Sequence, residues 1–237
     1  MRVAALADVH GNAPALAAVF EEVAQEGVDL VVFCGDLTWG PLPRETLALV
    51  RALETPARFV RGNSDRAVEE DAGDRGEWLR GLHSDAEREL LRGFEEAVVV
   101  DVDGLGPVRF CHGSPRSDEE CVTERTPRAR VHEFLAGVPE RVVVTAHTHV
   151  SYDRALDGVR LVNPGSVGMP YEDAPGAYWA LLGPDVEHRR TEYDVERTAE
   201  LYRASGDPRS ELMVEMLLEP ASREEAIAHA ERLRFAG

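Results

Sequence analysis

Short runs of apolar residues, each cut off by a polar residue in a tight turn, alternate with stretches of helical periodicity through the first part of the chain. Val3 to Ala7 runs into Asp8-Val9-His10-Gly11-Asn12, after which Leu16, Val19, Phe20 and Val23 recur at helical spacing. Leu30 to Cys34 stops at Gly35-Asp36, and Arg58 to Val60 stops at Gly62-Asn63. Runs that are apolar without alternation predict strands buried on both faces, and their interleaving with amphipathic helices predicts α/β layering.

The pattern then changes. Ala97 to Val102 and Val108 to Cys111 flank Asp103-Gly104-Leu105-Gly106-Pro107, the composition of a hairpin turn. Arg141 to Thr145 is a further buried run, and Val150 to Leu156, Gly158 to Val162, Ala177 to Leu182 and Val186 to Thr191 read as strands of antiparallel meanders. From Val195 the periodicity is helical, carried by Val195, Ala199 and Tyr202, then Met213, Met216 and Leu217, then Ala226, Ala230 and Leu233. Breaks fall at Gly206-Asp207-Pro208 and Glu219-Pro220. The expected organisation is a catalytic-size domain over 1–192 and a helical extension over 193–237 that packs on it or forms a homo-oligomer contact.

Composition narrows the partners. The 237 residues carry 44 Asp and Glu against 26 Lys and Arg, a formal charge of −18, and every one of the bases is Arg. A polyanion of this strength is repelled by nucleic-acid backbones and anionic lipid, so long nucleic acid and membrane surfaces are not expected partners. A small phosphorylated substrate stays compatible if something local inverts the field. Cys34, Cys111 and Cys121 are odd in number and widely spaced without a CxxC pair, which argues against a disulfide framework and for reduced thiols in a cytoplasmic protein. The first apolar run ends at Asp8, too early for a signal peptide.

The polar residues that end the apolar runs carry the chemistry. Asp8, His10, Asp36, Asn63, His112, His147 and His149 all lie in tight loops after such runs. In an open α/β sheet the C-terminal strand ends converge on one crevice. Two carboxylates, one amide and four imidazoles delivered there suit a pair of borderline divalent cations (Mn, Fe, Zn, Ni or Co, with Mg less suited). Two such ions held about 3.5–4 Å apart form a clamp for phosphoryl transfer, with one carboxylate between them. Their charge exceeds that of the two aspartates, so a negative exterior can surround a positive pocket.

In order, these blocks resemble the calcineurin-like metallophosphoesterase superfamily, whose signature is D-x-H, G-D, G-N-H-D/E, G/A-H and G-H-x-H. Here they stand as Asp8-Val9-His10, Gly35-Asp36, Gly62-Asn63-Ser64-Asp65, His112-Gly113 and Ala146-His147-Thr148-His149. Gly40-Pro41, His112-Gly113-Ser114-Pro115 and Asn163-Pro164-Gly165-Ser166-Val167-Gly168 are similar to small prokaryotic members described as phosphodiesterase-like or diadenosine-tetraphosphatase-like. The resemblance spans roughly residues 1–190 and implies an α/β/β/α sandwich of two facing mixed sheets. It implies one metal on Asp8, His10, Asp36 and His149, a second on Asp36, Asn63, His112 and His147, and Asp36 as bridge. It further implies an in-line attack on phosphorus by a metal-bridging hydroxide, with catalytic roles for Asp36, Asn63 and His112, acting on a phosphodiester or phosphoanhydride of a small, nucleotide-like substrate. A phosphomonoesterase and a catalytically weak metal- or nucleotide-binding module are the alternatives.

One position departs from the pattern: Ser64 stands where the family often carries a histidine beside the scissile bond. Arg61, Ser64, Arg116 and Asn163 are the candidate substrate contacts, the two arginines as phosphate forks. Asn163 and its neighbours are equally readable as a turn. His83, His132, His188 and His229 are expected to be solvated, Cys34 and Cys111 to be buried packing residues, Asp65 to sit in the first turn of a helix, and Asp118-Glu119-Glu120 to form a solvated loop.

Overall fold

A computed structural model of the chain describes residues 1–70 and 73–233. The first sheet has the order β10-β9-β1-β2-β3 and the second β4-β5-β6-β8-β7. In the first, β1 (Val3–Leu6), β2 (Leu30–Phe33) and β3 (Ala57–Phe59) run parallel, while β9 (Ala177–Leu182) returns antiparallel beside β1 and carries β10 (Val186–Thr191) outside it. In the second, β5 (Gly106–Phe110), β6 (Val142–Val144) and β8 (Val159–Asn163) are parallel, edged by antiparallel β4 (Val98–Val102) and β7 (Tyr152–Leu156).

Side chains alternate across each strand, so one apolar run feeds two cores. Val3, Ala5 and Ala7 join Val32, Phe110, Val144 and Val162 between the sheets. Ala4 and Leu6 face outward, where they pack with Leu16, Val19 and Val23 of α1 (Ala13–Glu26) and Leu47 of α2 (Pro43–Ala52). A smaller cluster of Val131, Val143, Tyr152 and Leu161 joins α6 (Arg128–Phe134) to the outer face of the second sheet. The result is the four-layer α/β/β/α sandwich. Helix α1 starts where it does because the Asn12 side chain accepts from the Ala15 N–H, and it stops at Gly27 in the left-handed conformation.

One expectation is corrected. The strands between 150 and 191 form antiparallel pairs but not purely antiparallel meanders: β7 and β8 belong to the second sheet, where β8 also lies parallel to β6, and β9 and β10 cross to the first. Local turn chemistry correctly marks the two hairpins, but sheet membership is decided by which edge has unpaired backbone. Between β3 and β4 stand α3 (Asn63–Glu70), α4 (Asp74–Leu82) and α5 (Asp85–Arg92), for which the apolar pattern gives little signal.

Beyond β10, α7 (Val195–Ala204) and α8 (Ser210–Leu218) bury Ala199, Tyr202, Met213 and Val214 against Ala13 and Leu42. Helix α9 (Arg223–Leu233) is fastened elsewhere. Arg223 pairs with Glu124 and Glu172, at 2.8 and 3.0 Å, and the Glu231 carboxylate accepts from the hydroxyls of Thr123 and Thr126, both at 2.8 Å.

Candidate metal centre

The parallel strands of both sheets end at one crevice. Asp8 and His10 follow β1, Asp36 follows β2, Asn63 opens α3 after β3, His112 follows β5, and His147 and His149 follow β6. Five of these residues have left-handed backbone: Asp8, His10, Asp36, His147 and His149 have φ of 52°, 47°, 57°, 66° and 58°. For a non-glycine residue that conformation costs roughly 1–3 kcal/mol and persists only where the surroundings enforce it. The enforcement is visible in backbone bonds between loops: Asp8 N–H to Gly35 C=O at 3.0 Å, His10 N–H to Asp36 C=O at 2.9 Å, and Gly168 N–H to Asp8 C=O at 3.1 Å.

Close approach requires two glycines. A Cβ on Gly40 would meet the His10 carbonyl, and one on Gly62 would meet the Asp36 carboxylate. Asp65, in the first turn of α3 as expected, does more than sit near a helix dipole. Its buried carboxylate accepts the N–H groups of Asp36, Leu37 and Gly62 at 2.8, 2.9 and 2.9 Å, and so ties the loop after β2 to the loop after β3. Burial, reinforced by the neighbouring Asp36 charge, pushes the Asp65 carboxyl up to about 7 against those three donors.

Two groups of donors lie side by side. Ligand atoms of Asp8, His10 and His149 fall within 4.8 Å of one another, as do those of Asp36, His112 and His147. Asp36 reaches both groups, with Oδ2 3.6 Å from His10 Nε2 and Oδ1 3.5 Å from His112 Nε2. Backbone carbonyls orient three of the rings: His10 Nδ1 donates to Trp39 C=O at 3.1 Å, His112 Nδ1 to Cys34 C=O at 2.8 Å, and His149 Nδ1 to Met169 C=O at 2.7 Å. In the neutral tautomer these bonds select, every Nε2 is a bare lone pair aimed into the crevice. His10 Nε2 then faces His149 Nε2 at 3.2 Å, and His112 Nε2 faces Asn63 Oδ1 at 3.0 Å. Once those rings are deprotonated, acceptor faces acceptor, and the pairs repel unless a cation, a proton or a metal ion, lies between them. Asp8 Oδ1, also buried, has no hydrogen-bond partner among the described residues. The donor set therefore fits divalent cations of the imidazole- and carboxylate-binding kind.

The electrostatics carry the same mark. Burial lowers His10 and His147 to about 4, so both are neutral at physiological pH. Burial also opposes the charged form of His112 and His149, but Asp36 and Asp8 outweigh it and raise both rings above the ordinary imidazole value. For Asp36 burial acts upward, and His112, His10, His147 and the Ser64 hydroxyl overcome it to hold the carboxyl well below its usual range. Burial pushes the Cys34 thiol up and that of Cys111 up to about 12, which leaves both as neutral packing residues in the cores.

The secondary candidates are distributed differently from expectation. Ser64 lines the crevice, but its hydroxyl donates to Asp36 Oδ2 at 2.8 Å and its N–H to Oδ1 at 2.9 Å. Arg61 and Arg116 line a separate 330 Å³ cavity, where His112 also stands, and not the main crevice. There they face Glu96 at 3.4 Å and Glu120 at 2.6 Å, so their charge is already answered. Asn163 is fully buried, donating to Ala146 C=O and Thr148 Oγ1, both at 3.0 Å, and accepting from Gly165 N–H; it shapes the loop after β6 and does not line the crevice. His83 is buried and His188 half-buried, with Nε2 2.8 Å from the Asn163 carbonyl, whereas His132 is exposed beside Asp157. The acidic run is not simply solvated, since Asp118 and Glu119 pair with Arg66. His229, expected in solvent, is exposed but forms part of the crevice wall.

Comparison with known proteins agrees with this geometry. A family model described as the calcineurin-like phosphoesterase superfamily domain matches residues 1–183. The crystal structure of a metallophosphoesterase from Sphaerobacter thermophilus is 27% identical with a TM-score of 0.75, covering 93% of this chain and 100% of that one. The hypothetical protein PH1004 from Pyrococcus horikoshii has the same fold, with a TM-score of 0.81 at 22% identity over 93% of this chain and 99% of that one. An uncharacterized protein of Methanocaldococcus jannaschii, MJ0912, is 23% identical over 235 residues, 84% of this chain and 90% of that protein. Two donor groups at the strand ends of a four-layer sandwich, and a family match over most of the chain, place it in the calcineurin-like phosphoesterase superfamily, as a hydrolase acting on phosphoric esters.

Proposed function

We propose that the protein hydrolyses a phosphodiester or phosphoanhydride of a small, nucleotide-like substrate at a two-metal centre. Asp8, His10, Asp36 and His149 would hold one ion and Asp36, Asn63, His112 and His147 the other. The observation that carries the reading is the pair of adjacent donor groups with Asp36 reaching both. When bound, divalent ions at these positions would neutralise charge on the phosphoryl oxygens and lower the pKa of a water.

The chain's own residues supply orientation. Asn63 turns Oδ1 toward His112 and leaves its amide N–H groups to donate to a phosphoryl oxygen. The carbonyls of Trp39, Cys34 and Met169 lock the imidazoles so that their lone pairs need not reorganise. At position 64 a serine hydroxyl already committed to Asp36 replaces an imidazole, and it is too weak an acid to protonate a departing alkoxide near neutral pH. The roughly 10²- to 10⁴-fold contribution of general-acid catalysis is then absent there, which favours substrates whose leaving groups are stable anions.

Turnover of bis(p-nitrophenyl) phosphate, dinucleoside polyphosphates and glycerol phosphate, with Mn, Co, Ni and Mg supplied separately, tests this. Aryl diesters and anhydrides should exceed glycerol phosphate, and equal or better turnover of glycerol phosphate would refute the preference. Asp36→Ala should abolish metal-dependent turnover, a larger loss than the about 10- to 100-fold seen when only an outer-shell partner is removed. An unchanged rate in that variant would assign the activity to a contaminant.

A further inference from the structure

The crevice is larger than phosphate requires, and one of its walls comes from the end of the chain. Its volume of about 690 Å³ lies within the roughly 300–1,000 Å³ of ligand pockets. Besides donor-group residues it is lined by Glu225, Ala226, His229, Ala230 and Leu233, which recur at helical spacing and form one face of α9. Arg232 stands at the same cavity. Met169 and Tyr171, from the loop after β8, and Met216, from α8, complete an apolar surface next to the metal donors, where the Tyr171 ring stacks on His149 at 5.2 Å and 14°.

This wall is held in place. Ile227 is buried beneath it, and the ion pairs of Arg223 and the hydroxyl bonds to Glu231 fix both ends of α9. Glu225 is turned to capping, accepting from Ser222 N–H at 3.0 Å and Ser222 Oγ at 2.6 Å. His229 and Arg232, by contrast, have no hydrogen-bond or ion-pair partner among the described residues, in a chain where most arginines are answered by an acid. An apolar face with an unanswered imidazole and guanidinium, set beside the candidate metal donors, has the chemistry of a site for an anionic ester that carries a flat apolar group.

We propose that α9 is the specificity wall of the crevice: Ala226, Ala230 and Leu233 receive an aromatic group on the phosphoester, while His229 and Arg232 contact its anionic part. The inference rests on the two-metal reading above, and the ligands chosen to test it separate the two. Phenylphosphonate and methylphosphonate present the same phosphonate head to the metals, neither is hydrolysed by P–O cleavage, and they differ in the flat group. Metal content is measured first by elemental analysis on the Mn-loaded full chain, and affinities then follow by calorimetry. Phenylphosphonate should bind at least about tenfold more tightly than methylphosphonate, the scale expected for burying one aromatic ring. Ala226→Trp, which fills the pocket, should remove that preference. Leu233→Ser, at a half-exposed position that cannot unfold the chain, should reduce it several-fold. Arg232→Ala should weaken both ligands by a similar factor. Metal-loaded protein that binds the two phosphonates equally, or variants that weaken both in parallel at positions 226 and 233, would overturn the specificity wall and leave the metal centre standing. Protein that takes up no metal would overturn both.

Discussion

At the scale of single residues, the site is a set of strained loops held by their neighbours. Left-handed backbone at Asp8, His10, Asp36, His147 and His149 turns each side chain toward the crevice, and glycines at 40 and 62 let the loops approach. Gly62→Ala would drive a methyl group onto the Asp36 carboxylate, so metal uptake should drop by more than about tenfold while the far-ultraviolet dichroism stays native. Elemental analysis of the reconstituted variant reads this, and wild-type stoichiometry would contradict it. A pH dependence follows from the rings themselves. His112 and His149 are raised above the ordinary imidazole value, so without metal they keep their protons to higher pH. A metal must displace those protons, and its apparent affinity should weaken as pH falls, by about tenfold per unit for each proton released. Calorimetry in two buffers of different ionisation heat should show proton release, and affinity constant between about pH 5 and 8 would refute it. The seven donor candidates were legible in the sequence because a polar residue ending a buried run has few reasons to be there. Asp65 was visible in the same block, but its work in joining two loops depends on two N–H groups of the distant loop after β2 besides that of nearby Gly62.

Elements position those residues and attach the extension. The Arg75 guanidinium of α4 grips Asp207, just before α8, through Nε at 3.1 Å and through Nη2, with both side chains almost completely buried. Removing one partner leaves a buried charge uncompensated, so Asp207→Ala should destabilise by about 3–5 kcal/mol in denaturant unfolding. Replacing both with apolar residues of similar volume should recover most of the loss; a single variant within about 0.5 kcal/mol of wild type would show that the pair is solvated. The hairpins β7–β8 and β9–β10 were legible from their turns. Their assignment to opposite sheets was not, because an apolar run buried on both faces fits either sheet equally well. Helices α3, α4 and α5 were faint in the pattern, and much of their definition is polar: Ser84 and Glu87 form a reciprocal cap on α5, and Arg66, Arg88 and Arg92 make ion pairs along the surface.

At the scale of the whole molecule, a formal charge of −18 surrounds a crevice that offers two groups of candidate metal ligands. A duplex DNA should show no measurable retention even in low salt, because counterion release needs basic surface that this exterior lacks. Titration of a labelled duplex by fluorescence anisotropy checks it, and a salt-dependent rise in anisotropy would refute it. Within the described residues no helix is long and apolar enough to cross a membrane. The arginines nearest the motifs in sequence, Arg61 and Arg116, pair with Glu96 and Glu120, while Arg232, far along the chain, lines the crevice with no partner among the described residues. By itself the sequence determined the α/β layering and which polar residues end the strands as candidate metal ligands, because these depend on local periodicity and on residue types with few alternatives. Only the tertiary structure decided which sheet each late strand joins, which arginines among the described residues lack a partner, and that α9 lines the crevice, because side-chain direction and the packing of distant segments depend on contacts that sequence adjacency does not encode.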